Sequence, residues 1–264
     1  MVAEPSTSDT SRRCCSRVAP VKPFVFLGIR AEDVAAEEEY AAMLRCTGLQ
    51  ERQLRRIRLE QRSLDPVDLD RWSGIILGGG PFTASDPDET KSATERRVES
   101  DLATLLDDVV PRDFPFLGAC YGIGTLGRHQ GALVDRTYGE PLGGTFIELT
   151  PEGRKDPLMQ AAGSPFGAYL GHKEAITMLP PHAVSLASSP SCPVQAFRIG
   201  TRVYATQFHP ELDLAGLATR IQIYRYAGYF PPDQADAILA AAAASGVSET
   251  PNLLGRFVEL FARD

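Results

Sequence analysis

Long apolar runs are missing from this sequence. No segment of its 264 residues reaches the length a helix needs to cross a bilayer, which excludes a helical membrane span. An excess of basic charge is missing too. Lys and Arg number 27 against 34 Asp and Glu, for a formal net charge of −7, so no nucleic-acid partner is expected. Cysteine is sparse and unsuitably spaced. Cys14, Cys15, Cys46, Cys120 and Cys192 follow no metal-ligand pattern, and an odd number with two adjacent in a polar tail makes no disulfide framework. Arg12-Arg13 is not followed by the apolar segment and cleavage site of an export signal. A glycine-rich turn, Gly78-Gly79-Gly80-Pro81, lacks the Gly-Lys-Ser/Thr of a nucleotide loop. The expectation is a cytoplasmic protein in a reducing compartment, with no metal, no cofactor and no membrane contact.

What is present describes a globular body. Hydrophobic residues make up 43% and charged residues 23%, enough for a substantial core. Residues 1–22 are rich in Ser, Thr, Pro and Ala and read as a disordered leader. Phe24 to Ile29 and Ser73 to Leu77 are continuous apolar runs, the mark of strands buried on both faces. Helices are expected over 31–47, ended by Gly48, and over 92–106, where Val98, Leu102 and Leu105 make an apolar stripe. Arg52 to Arg62 alternates arginine with Leu54, Ile57 and Leu59, and reads as a strand at a solvated edge. Cys46 reads as a core residue.

This alternation predicts an α/β fold, a mostly parallel central sheet with helices on both faces. From Gly131 onward the pattern becomes mixed. Short strands are expected near 132–134, 145–149, 168–176, 184–188, 194–199 and 203–208, with no clear linker. Residues 213–264 read as a helical extension packed on the same domain, with a break at Gly228-Tyr229-Phe230-Pro231-Pro232.

The chemistry centres on Gly118-Ala119-Cys120-Tyr121-Gly122, between the apolar run Phe114 to Leu117 and a helix expected from Ile123. A cysteine at a tight strand-to-helix turn, with glycine two positions before and after, is a nucleophile elbow, where flanking backbone comes too close for side chains. The helix N-terminus there favours thiolate. In α/β sheets the site lies beyond the carboxyl ends of the strands, where Gly78 to Gly80 and Cys120 both fall. His209-Pro210-Glu211 follows another strand. On an extended segment His209 and Glu211 would point the same way, the carboxylate orienting an imidazole that deprotonates Cys120.

These three motifs together resemble the class I, triad-type glutamine amidotransferases, and among them the amidotransferase domain of GMP synthase. The resemblance covers roughly 24–212. It implies the flavodoxin-like fold of that family and a Cys120–His209–Glu211 triad. It also implies an oxyanion hole from the backbone of Gly80 and Tyr121, each donor worth about 3–4 kcal/mol. Substrate contacts are implied at Gly79, Gly124 and Gly171-His172-Lys173-Glu174, the last like the family's Ser-His-x-Asp segment, with Glu174 where Asp is usual. The implied reaction is hydrolysis of the glutamine side-chain amide through a γ-glutamyl thioester, with ammonia passed to an acceptor or a separate synthase subunit. Oligomerisation is left open.

Gly124 stands where the family carries a glutamine that contacts substrate. The glycine is expected to open room around the γ-glutamyl site. That keeps a second reading alive, a γ-glutamyl hydrolase or peptidase with the same triad acting on a larger conjugate. A binding module without activity is a third, opposed by the intact Cys, His and Glu. Nothing in 212–264 offers the phosphate loop of an ATP-pyrophosphatase part. Because the leader carries no pattern of a core element, deleting residues 1–20 is expected to leave melting temperature and activity unchanged; a thermal melt of the truncated chain checks this.

Overall fold

The computed structural model describes residues 22–226, 230–247 and 250–264. The expected leader up to residue 21, with Cys14 and Cys15, and the Gly228-Tyr229 part of the tail break lie outside the described residues. Among those described, the first half forms β1 (Phe24–Gly28), α1 (Asp33–Thr47), β2 (Leu54–Arg58), β3 (Gly74–Leu77), α2 (Ala93–Val109), β4 (Phe116–Ala119) and α3 (Tyr121–His129). The second half forms β5 (Leu133–Asp135), β6 (Glu140–Leu149), β7 (Phe166–His172), β8 (Ala175–Met178), β9 (Val184–Ser188), β10 (Ala196–Ile199) and β11 (Val203–Thr206). The helices α4 (Leu214–Ile223), α5 (Ala235–Ala244) and α6 (Leu253–Phe261) follow.

The main sheet runs β2-β1-β3-β4-β11-β10-β9-β6-β7. Its first five strands are mutually parallel and the rest are antiparallel, with β5 and β8 making a separate antiparallel ribbon. Side chains alternate across each strand. Val25, Leu27, Ile75, Leu77 and Phe116 join one core with Val98, Leu102 and Leu106 of α2 and Ile123 and Leu126 of α3. Phe24, Phe26, Ile76, Leu117 and Tyr204 join the other with Tyr40 and Met43 of α1 and Leu253, Leu254 and Phe257 of α6. Both faces are thus covered, which is why the parallel strands read as unbroken apolar runs.

Local signals place the helices. Ser92 Oγ accepts the Glu95 N–H at 3.1 Å and starts α2, which runs on to Val109 because its apolar stripe continues through Leu106 and Val109. Gly48 closes α1 at φ 69°. Arginines of β2 meet acids: Arg56 pairs with Glu37 at 2.7 Å and Arg58 with Asp33 at 2.6 Å.

Some elements differ from expectation. Residues 168–176 form two strands in two sheets, because the chain turns between His172 and Ala175 and a His172 Nδ1 to Glu174 carbonyl contact of 2.8 Å closes the turn. The strand expected at 145–149 begins at Glu140. The segment after β11 is a turn, not an extended strand, with the Leu212 N–H donating to the His209 carbonyl at 3.3 Å. The tail is helical as expected, with α4 beginning at Leu214; Tyr224 is buried, whereas Tyr226 is 83% exposed.

The two ends of the described chain meet. The Lys22 N–H donates to the Arg263 carbonyl at 2.8 Å, and Ser73 Oγ donates to the Lys22 carbonyl at 2.7 Å. The last helix therefore closes the core. Phe257 is fully buried, with ring centroids 6.1 Å from Phe24 and 5.0 Å from Phe261. Replacing Phe257 with alanine should destabilise the protein by about 3–5 kcal/mol, measured by denaturant unfolding. A near-neutral effect would mean that α6 merely rests on the surface.

Candidate active site

Three neighbouring parallel strands, β3, β4 and β11, deliver the chemistry at their carboxyl ends. After β3 comes the turn 78–80, after β4 comes Cys120, and after β11 comes His209. Cys120 has φ 52° and ψ −91°, a strained conformation for a side-chain-bearing residue, pinned by its N–H donating to the Thr206 carbonyl at 2.8 Å. A Cβ on Gly118 would lie 2.9 Å from Gly122 Cα, so the elbow closes only because position 118 is glycine, whereas a Cβ on Gly122 would meet Leu77 at an ordinary 3.5 Å. Helix α3 starts at Tyr121, immediately after Cys120 and two residues earlier than expected.

His209 Nδ1 lies 2.8 Å from Glu211 Oε1. The turn, not an extended segment, brings the two together. Gly79 lies between His209 and Cys120. A Cβ there would sit 2.4 Å from His209 Cε1, 3.3 Å from His209 Nε2 and 3.1 Å from Cys120 Cβ. Gly79, expected as a substrate contact, is also the position where the lack of a side chain lets His209 and Cys120 come together.

Burial governs the charges here. It pushes the Cys120 thiol up to about 12, against the Arg30 and Arg220 charges that draw it down. The helix N-terminus alone therefore does not make a resting thiolate. Burial also keeps His209 below the ordinary imidazole value, opposed by Glu211 and reinforced by Arg220. For Glu211 burial acts upward, but His209 and Arg220 hold the carboxyl far below the usual carboxylate range. The resting site is a neutral thiol beside a neutral imidazole backed by a carboxylate, an arrangement suited to general-base activation of sulfur at the moment of attack.

A narrow cavity of about 20 Å³ opens beside Cys120, lined among others by Gly80, Tyr121, Gly171, His172, Glu174 and Gln207. It holds little more than one water, so substrate must widen it. The Gly124 space is not empty. A Cβ on Gly124 would fall 2.6 Å from Glu174 Oε1. Glu174 Oε1 accepts the Ala84 N–H at 2.9 Å, and Oε2 accepts the Ser85 N–H at 2.6 Å. The longer acid in place of Asp reaches across and occupies what the missing side chain vacated. His172 is engaged elsewhere. Its Nδ1 faces the Glu174 carbonyl at 2.8 Å and its Nε2 faces Glu140 Oε2 at 2.9 Å, so its ring braces the loop. Gly171 packs on Leu142, 2.4 Å from where its Cβ would stand. A cavity of about 280 Å³ between Val25 and the 62–72 loop is lined by Ser63 but by no cysteine or histidine.

A family model described as glutamine amidotransferase class-I matches residues 41–221. The chain belongs to the class I glutamine amidotransferases. It is similar to a protein of Thermoplasma acidophilum named as one subunit of a glutamine-hydrolyzing GMP synthase, 30% identical over 151 residues, covering 57% of this chain and 68% of that one. The glutamine-hydrolyzing GMP synthase of Porphyromonas gingivalis is 33% identical over 149 residues, 56% of this chain and 26% of that one. The chain spans about a quarter of the length of such GMP synthases. A solved glutamine amidotransferase from Thermotoga maritima superposes with a TM-score of 0.70 at 18% identity, over 91% of this chain and 98% of that one. A glutamine amidotransferase from Methylobacillus flagellatus gives 0.68 at 17% identity, over 92% and 97%. At these identities the likeness is one of fold.

This amidotransferase holds site residues that the motifs do not announce. Arg220 of α4 donates to Glu211 Oε1 at 2.9 Å, and Arg30, just after β1, donates to Glu39 Oε1 at 3.0 Å. Both are buried arginines, and a lone Arg in a loop or an otherwise ordinary helix carries no sequence signal; only the packing of α4 against α1 brings them in. Among the described residues, one group could approach a metal-ligand set, Glu140, His172 and Cys192, with ligand atoms within 4.8 Å of one another. Glu140 is already bonded by His172, by Ser191 and by Gln195 Nε2 at 2.6 Å, so the group is explained as a hydrogen-bonded brace.

The Gly124–Glu174 contact makes a coupled pair. Gly124→Gln alone should overpack the site, costing about 1–3 kcal/mol and most of the activity. Adding Glu174→Asp to it should recover part of both, giving a coupling of about 0.5–3 kcal/mol in a double-mutant cycle of melting and turnover. Strict additivity would show that the two positions do not share space.

Proposed function

We propose that the protein hydrolyses the side-chain amide of free glutamine through a γ-glutamyl thioester on Cys120 and hands the ammonia to a separate synthase. The observation that carries this is the meeting of Cys120, His209 and Glu211 around Gly79, with His209 Nδ1 already engaged by Glu211 at 2.8 Å. His209 Nε2 takes the thiol proton as sulfur attacks the amide carbon. The N–H groups of Gly80 and Tyr121, both at the cavity wall, receive the oxyanion. The imidazolium then returns its proton to the leaving nitrogen, and ammonia departs. Water, deprotonated by His209, opens the thioester and releases glutamate.

Glutamine is favoured over a larger γ-glutamyl conjugate by the family match and by relatives named as glutamine-hydrolyzing. The room expected beside Gly124 is taken up by the Glu174 carboxylate, which puts a polar group back where the family's glutamine is missing. A separate synthase as ammonia acceptor is supported by the Thermoplasma acidophilum relative, which is named as a subunit of GMP synthase and of which the chain covers 68%. A cytoplasmic place of work belongs to the same reading, and among the described residues no helix is long and apolar enough to cross a membrane.

The test is labelling with an electrophilic glutamine analogue, read by intact mass and peptide mapping, with glutamine and γ-glutamyl peptides as competitors. Labelling at Cys120, blocked by glutamine and abolished in a folded Cys120→Ala variant, is the expected result. Protection by γ-glutamyl peptides alone would replace the proposal with a γ-glutamyl hydrolase.

A further inference from the structure

Arg220 is a buried charge that the reaction above does not use. It is 3% exposed, and its guanidinium spans both partners of the base. Nη2 donates to Glu211 Oε1 at 2.9 Å, while Nη1 lies 3.0 Å from His209 Nδ1. Its far side faces α1, with Nη2 3.7 Å from Glu39 Oε1 and Nε 3.8 Å from Glu38 Oε2. Arg30 completes the chain of charges through Glu39 at 3.0 Å and through the Tyr224 hydroxyl at 3.1 Å.

Three carboxylates are more than enough to keep a buried guanidinium, so folding alone would not require Nη1 against the imidazole. Nδ1 cannot serve both neighbours in one state. When it carries a proton it donates to Glu211, and Arg220 then places positive charge against the ring. When it is bare it accepts from Arg220, and the proton sits on Nε2, the atom that must receive the thiol proton. In either state Arg220 opposes the imidazolium, whereas Glu211 supports it. The fork also leaves Glu211 Oε1 in one place, shared between Nη2 and Nδ1.

We propose that Arg220 is a positioning residue that fixes Glu211 against His209 and sets the pH at which His209 becomes a working base for Cys120. This rests on Cys120 and His209 acting as nucleophile and base, as proposed above. The charged and titratable groups facing His209 are Cys120 from the elbow, Glu211 from its own turn, Arg220 from α4 and Arg30 from the end of β1. Glu38 and Glu39 of α1 stand behind the two arginines. Removing the Arg220 charge raises the proton affinity of His209 and of Cys120 together. The acid limb of thiol reactivity therefore moves to higher pH, whether sulfur reacts as a base-assisted thiol or as an ion pair with the imidazolium.

The experiment is the rate of Cys120 alkylation by iodoacetamide as a function of pH, followed by intact mass, for the full chain and for Arg220→Gln and Arg220→Lys. It needs no glutamine. Arg220→Gln should move the acid limb up by about one pH unit and lower the plateau. Arg220→Lys keeps a charge but not a fork, so the limb should stay near that of the parent protein while the plateau falls, as should kcat for glutamine at unchanged KM. A folded Arg220→Gln variant with an unmoved limb would overturn the proposal. If Arg220→Gln does not fold, Arg220→Lys decides, and parental values of both limb and plateau overturn it. A shifted limb in a protein that turns over no glutamine would leave the role of Arg220 standing and remove glutamine as substrate.

Discussion

The site depends on the adjacency of three parallel strand ends. β3, β4 and β11 lie side by side and point the same way, so the turns leaving them must converge. None of the reacting groups is held by a long loop. Cys120 is one residue past β4, and its N–H is bonded to the last carbonyl of β11. Register between these strands is therefore also register between Cys120 and His209. The apolar pairs that fix it, Ile76 with Leu117 and Leu117 with Tyr204, sit in the core well below the chemistry. Close approach then becomes the limiting requirement, and glycines at 79 and 118 meet it.

Burial sets the electrostatic character. A dry site strengthens every charge interaction within it, but it also penalises a thiolate. The two arginines at the site draw the Cys120 thiol down without overcoming that penalty. The thiol is held in reserve until a base and an electrophile are both in place. The advantage is selectivity, since a neutral, half-buried thiol such as Cys120 reacts poorly with stray oxidants and electrophiles.

The parts of this site that are legible in the sequence are the local ones. A cysteine between two glycines, a glycine-rich strand end and a His-Pro-Glu are compact motifs whose geometry follows from a few residues. On the sequence, His209 and Glu211 pair as neighbours on an extended segment; in the fold they pair across a turn, because the carboxylate needs only proximity and not the strand. What cannot be read depends on packing between distant segments. Gly124 alone suggests an enlarged pocket, and only the fold shows Glu174 filling it, one methylene longer than the usual acid. Arg220 and Arg30 lie far from the motifs in sequence and reach the triad through the packing of α1 and α4. The break between β7 and β8 is hidden for a similar reason: 168–176 carries no turn signal strong enough to divide it, and the turn is imposed by the contacts of His172.

The meeting of Lys22 with Arg263 has a topological consequence. Both lie at Ser73, which precedes β3, so they sit at the amino ends of the parallel strands, on the opposite rim of the sheet from Cys120. The described chain is close to a ring, sealed at its floor by main-chain bonds and reactive only at its roof. Lys22 and Arg263 therefore lie across the full depth of the sheet from the mouth of the catalytic cavity.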